Sequence, residues 1–173
     1  MDAHWSSCSH VQASCNAGCH PTFAVTDDWA DALAALIAGQ ARFLVVGAHA
    51  LAAHGVPRAT QALDVWVDPS PENASRVWNA LAAFGAPLED LGIRVEDFSV
   101  AGNVIQLGLP PRRIDVLTAI SGIDSFAAAW EKRVERTLHG HRVPFIGREA
   151  LIANKKAAGR LRDLADIEAL GES

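Results

Sequence analysis

At 173 residues, half of them apolar and a fifth charged, the chain has the size and composition of one globular domain. A net charge of −5 excludes a protein coated in basic surface, and no apolar run reaches the roughly 18 to 20 residues that span a bilayer. The first residues, MDAHWSSCSH, lack a basic start followed by an apolar stretch, so no signal peptide, no membrane partner and a cytoplasmic location are expected.

Residues 1–21 read as a loosely attached or disordered extension, and 22–173 as one folded domain. The extension gathers Cys8, His10, Cys15, Cys19 and His20. Four soft ligands for zinc can be drawn from these, but the spacing matches no standard pair of ligand pairs. Three cysteines also argue against a disulfide framework.

The predicted elements open with a helix in TDDWADALAALIAG, capped by Thr26 or Asp27 and ended by Gly39. Trp29, Leu33, Leu36 and Ile37 form its apolar face. A short buried strand, Arg42 to Val46, follows. Gly47 turns it into a short helix, AHALAAH, which stops at Gly55 and Pro57. ALDVWV is the next strand, with Leu63, Val65 and Val67 on one face and positions 62, 64 and 66 on the other. SPENASRVWNALAAFG has Ser70 as cap, Pro71 in the first turn and an apolar stripe through Ala74, Val77, Trp78, Leu81 and Phe84. Strands are then expected in NVIQLGL and RIDVL, and a helix from about Ser125. A hairpin follows in RVERTLHGHRVPFI, turning at Gly140, and two helices in REALIANKKAAG and RLRDLADIEALG close the chain. The order is not a regular β-α-β alternation. It implies an α/β (α+β) domain with a mixed β-sheet flanked by helices, not a doubly wound fold.

Charge is uneven along this layout. From Glu131 to Arg162 there are nine Lys or Arg against three Glu, a local charge of +6 that leaves −11 for the rest. A basic lobe beside acids suits a phosphate-bearing ligand near a metal; a solvated helical face is the alternative.

Three positions stand out for chemistry. Gly47, straight after a buried strand, lets backbone N–H groups face an anion. Asp64 and Asp115 are lone carboxylates in apolar strands, LDVWV and RIDVL. A buried carboxylate is costly unless paired or bound to a metal. On neighbouring strands, both would point at one cation; alternatively, each pairs with Arg58 or Arg113. His49 and His54 frame the short helix at a spacing poor for one shared metal, and His54 suits the helix end. Trp66 shares a strand face with Asp64 and reads either as core or as one wall of a base pocket.

The stretch VVGAHALAAHGVPRATQALDVWV resembles the nucleotidyltransferase superfamily, whose fold is that of DNA polymerase beta. The family pattern is an apolar residue, Gly followed by Ser or Gly, about 9 to 13 residues, then Asp-apolar-Asp/Glu-apolar. Here it maps to Val46-Gly47-Ala48, thirteen residues, and Ala62-Leu63-Asp64-Val65. The third acid matches Asp115 in RIDVL. HGVPRAT before the strand, and NK, GR and DLAD near the end, resemble the small bacterial subgroup related to abortive-infection and toxin–antitoxin nucleotidyltransferases. The resemblance covers about Thr22 to Leu170.

The resemblance implies magnesium-dependent transfer of a nucleoside monophosphate from an NTP to a hydroxyl on a tRNA, a protein or a small molecule. In that pattern Gly47 cradles phosphates, Asp64 ligates Mg2+, and Asp115 ligates metal or activates the acceptor hydroxyl. Arg58 and Thr60 flank the site, Lys155 contacts the triphosphate and Asp163 supports it. Lys155 and Lys156 otherwise read as a solvated helix face. Two departures stand out: Ala48 removes a hydroxyl beside the phosphates, and Ala62 removes the acid that ligates both metals. Impaired transfer is therefore expected. The alternative is a degenerate nucleotide- or RNA-binding module of a toxin–antitoxin type system with an antitoxin partner. An engineered Asp-to-Ala change fits the single alanine at 62; the second departure at Ala48 fits natural drift.

Overall fold

The computed structural model describes residues 27–171. The Cys/His cluster, the N-terminal extension and the cap assigned to Thr26 lie outside the described residues.

Helix α1, Asp27–Ala38, leads into strand β1, Phe43–Val45, and helix α2, Gly47–Ala53. Strand β2, Ala62–Val67, is followed by helix α3, Pro71–Phe84, and a 3-10 turn, Val95–Phe98. Strands β3, Val104–Leu107, and β4, Arg113–Leu117, precede helix α4, Phe126–Glu131. The hairpin β5, Val134–Leu138, and β6, His141–Phe145, is followed by helices α5, Arg148–Ala158, and α6, Leu161–Ala169. The strands form one mixed sheet in the order β3-β4-β2-β1-β6-β5. The β2–β4 and β1–β6 pairs are parallel and the rest antiparallel. The fold is thus α/β with helices flanking a mixed sheet, as the element order implies.

Local chemistry explains the element ends. Ser70 Oγ accepts a hydrogen bond from Asn73 N at 3.4 Å, Pro71 supplies the first turn of α3, and Gly85 closes it in the left-handed region at φ 99°. Ser125 Oγ accepts from Ala128 N at 3.1 Å and starts α4. β1 pairs over Phe43–Val45 only, shorter than Arg42 to Val46, because the chain must turn at Gly47. β3 stops at Leu107, short of Leu109, because Gly108 takes φ 73°. The 3-10 turn at Val95–Phe98 carries no clear periodicity in the sequence.

Leu63, Val65 and Val67 are fully buried on one face of β2, together with Phe43 and Val45 of β1. Leu33 and Leu36 of α1, Leu81 of α3 and Leu151 of α5 close the same core. Each such side chain contributes about 1.5–3 kcal/mol through burial. The outcome for function is a central β1–β2–β4 platform. Among the described residues no helix is long and apolar enough to cross a membrane.

Candidate functional site

The parallel register of β2 and β4 sets Ala62 opposite Arg113, Asp64 opposite Asp115, and Trp66 opposite Leu117. Directly opposed residues on neighbouring strands share a sheet face. The two carboxylates therefore stand side by side on one face, with Ala62 and Arg113 next to them. All four line a cavity of about 950 Å³, as do Gly47, Ala48, Arg58, Thr60, Lys155 and Asp163. That volume suits a ligand of nucleotide size. The residues that the family pattern assigns to phosphate and metal binding thus border one cavity.

Gly47 has a stricter role than leaving backbone amides exposed. Its φ is 63°, and a Cβ there would lie 2.1 Å from Asp64 Oδ2. Glycine lets the carboxylate lie against the turn. Val46 N donates to Asp64 O at 3.0 Å and ties the same turn to β2. Gly47→Ala is expected to cost about 1–2 kcal/mol through the left-handed backbone alone. It should also displace the Asp64 carboxylate. Urea denaturation checks the first effect and ligand titration the second; an unchanged urea midpoint would contradict it.

Burial pushes the Asp64 carboxyl up to about 6, and repulsion from Asp115 adds to this; Arg113, Arg162 and Arg160 partly offset it. A raised carboxylate disfavours the folded state above its own pKa. Stability from this source is full below pH 3.8 and is lost as pH rises through about 6. The loss is on the order of 3 kcal/mol. His49 acts in the opposite sense. It is buried edge-on against Trp29, with ring centroids 4.9 Å apart, and burial lowers it to about 4. Its stabilisation is full above 6.5 and is lost as pH falls towards 4. The Asp64 contribution is therefore read as a difference. In EDTA, Asp64→Asn should gain stability over the parent as pH rises from 4 to 7; equal curves would contradict the burial cost.

The basic residues divide into two groups. Gly159, at φ 63°, folds α6 back on α5. Lys155 thereby comes to Asp163 Oδ1 at 3.2 Å and Asp166 Oδ2 at 2.7 Å. Residues three apart share a helix face, which brings both acids to one ammonium. Lys155 is 4% exposed, and its charge is balanced within this network. Arg160 Nε lies 2.6 Å from Asp163 Oδ2, and Arg58 Nε lies 3.4 Å from Asp166 Oδ1. Burial raises the Asp163 carboxyl, but hydrogen bonds from Arg160 and Lys155 and their charges more than reverse this. Lys156 alone matches the solvated-face reading, being exposed.

Arg160 and Arg162 border the cavity; in the sequence Arg160 stands in the GR motif, and Arg162 is marked only by the basic segment. Among the described residues Arg162 has no ion-pair partner. Lys155 of the same segment also lines the cavity, whereas Lys132 pairs with Glu149, and Arg133 and Arg142 pair with Glu135, away from it.

Thr60 Oγ1 donates to Ala62 O at 3.0 Å and accepts from Ala62 N at 3.3 Å, bracing the start of β2. His54 bonds Ile146 O through Nε2 at 2.8 Å and anchors the end of α2, while His49 lies in the core. The two histidines do not converge on a metal. Trp66 packs against Phe126, centroids 4.9 Å apart, and does not border the cavity. It belongs to the core, not to a base pocket.

Asp115 gives one oxygen, Oδ2, to Arg113 Nη2 at 2.9 Å. Its other oxygen, Oδ1, is buried without a hydrogen-bond partner among the described residues. Such an atom fits a cation or a ligand donor. No three His, Cys, Asp or Glu side chains gather at one point among the described residues. Two carboxylates fit one divalent cation and do not fit two. No family model and no curated protein matches this chain.

Proposed function

We propose that the chain is a nucleotidyltransferase-like protein with a polymerase-beta-like fold, and that its cavity takes a nucleoside triphosphate. The reading rests on one observation: Asp64 and Asp115 are register partners on a cavity wall where Ala62 takes the next place on the same face. Gly47 leaves room for Asp64, and Arg160 and Arg162 supply positive charge at the rim. Mg2+ held by Asp64 and Asp115 would neutralise phosphate charge.

In the transfer proposed, the acceptor hydroxyl oxygen bonds to the α-phosphorus and its proton passes to a base. The bond from that phosphorus to the oxygen bridging to the β-phosphate breaks, and pyrophosphate leaves. Arg160 and Arg162 would orient the triphosphate, while Lys155, Asp163 and Asp166 hold α6 in position. With alanine at 62, carboxylate density for a second cation is missing and transfer is severely reduced. The test is incubation with labelled NTPs, Mg2+ and total tRNA, comparing the parent with Ala62→Asp. Label transfer gained by the variant supports the reading; two inert proteins that also fail to bind NTP defeat it.

The Arg113–Asp115 ion pair favours a second reading, in which the chain only binds. It would then hold nucleotide or RNA within a toxin–antitoxin type pair, and Ala62→Asp would bind NTP without transferring label.

A further inference from the structure

Arg113 stands at an unusual place for a cation. It is the register partner of Ala62, two residues before Asp115 on the same face of β4. Its guanidinium reaches Asp115 Oδ2 at 2.9 Å and borders the cavity. Its Nε is buried without a hydrogen-bond partner among the described residues. An aspartate at 62 would face this guanidinium across the strand pair, and two carboxylates would then share it. With alanine at 62, Asp115 is the one ion-pair partner of Arg113 among the described residues, so at least one N–H donor remains for a ligand. A guanidinium is always charged and matches phosphate oxygens with a planar fork of donors. It sits beside Asp64 and Asp115, where a divalent cation would otherwise neutralise phosphate charge.

From this juxtaposition we infer that Arg113, with Arg160 and Arg162, binds a polyphosphate group in this cavity without a divalent cation. The inference rests on the cavity being a triphosphate site. It adds that Arg113 is the ligand-binding residue and that loss of the acid at 62 is what frees it. Lys155 contributes least, being buried between Asp163 and Asp166, and Arg58 and Arg160 contribute less than Arg113 because Asp166 and Asp163 already engage them.

The test is calorimetric titration of the full chain with inorganic tripolyphosphate and with ATP, in EDTA and in Mg2+. Both probes should bind in EDTA, within about threefold of the affinity in Mg2+. Arg113→Gln should weaken binding in EDTA at least tenfold. Arg113→Lys keeps the charge but not the fork, and should fall between the two. Arg136→Gln, on exposed β5 away from the cavity, should bind as the parent does. Thermal melts establish that each variant is folded, and Arg113→Lys carries the test should Arg113→Gln unfold. Binding seen only with Mg2+ overturns the role of Arg113 and leaves the nucleotide reading standing. Unchanged affinity in a folded Arg113→Gln or Arg113→Lys overturns it as well. No binding of either probe in either buffer overturns both.

Discussion

Ala62→Asp is expected to raise nucleotidyl transfer at least about 100-fold over the parent, the scale on which single groups stabilising transition-state charge act. Position 62 is on the same strand face as Asp64, borders the cavity and is only 6% exposed. A carboxylate there would become the third on this wall, beside Asp64 and Asp115. It would permit a second cation near the phosphates, which two carboxylates cannot hold. Arg113, directly opposite, would compensate the new charge in the absence of ligand. Ala62→Asn serves as control, since it adds similar volume without the negative charge and should stay near the parent. The readout is radiolabel incorporated from each NTP into total tRNA or protein.

The second large effect is on stability. Lys155→Met should lower unfolding free energy by about 3 kcal/mol, because it leaves Asp163 and Asp166 buried with their central counter-charge gone. Arg160 and Arg58 would still touch these acids, which keeps the loss at the lower end of the range for a broken buried pair. For a domain of this size the melting temperature should fall by about 6–12 °C. Lys156→Met, one residue on and exposed, should change stability by no more than about 0.5 kcal/mol. A differential scanning calorimetry comparison reads both. Equal melting temperatures for the two variants would show that the network contributes nothing net.

Much of the site can be read from the sequence because it follows from strand periodicity. Alternation in ALDVWV puts 62, 64 and 66 on one face, and a carboxylate in the middle of RIDVL points to a matching strand. Adjacency of β2 and β4 is a tertiary fact, since β3 and α3 intervene in the chain, and only the register makes Asp64 and Asp115 partners. The buried state of Lys155 was equally hidden. A lysine beside another lysine on a helix has the pattern of a solvated face. What inverts that reading is the tight α5–α6 turn at Gly159, which brings two acids back onto it. Trp66 shows the opposite limit. It shares the face of Asp64, but it stands one step further along β2, beyond the cavity and under Phe126 of α4. The basic segment as a whole misleads, because a sum over sequence ignores where side chains go. Arg160 and Arg162 reach the cavity, while Arg133 and Arg142 share Glu135 on the β5–β6 hairpin.

That this cavity is a nucleotide site is tested most directly by titrating the full chain with ATP, GTP, CTP and UTP, followed by calorimetry, and repeating the titration with Gly47→Ala. The expected result is one saturable site per chain for at least one NTP. Displacing Asp64 and reshaping the turn in Gly47→Ala should weaken that site at least tenfold. Absence of saturable binding of all four, or equal affinity in a folded Gly47→Ala, would contradict it.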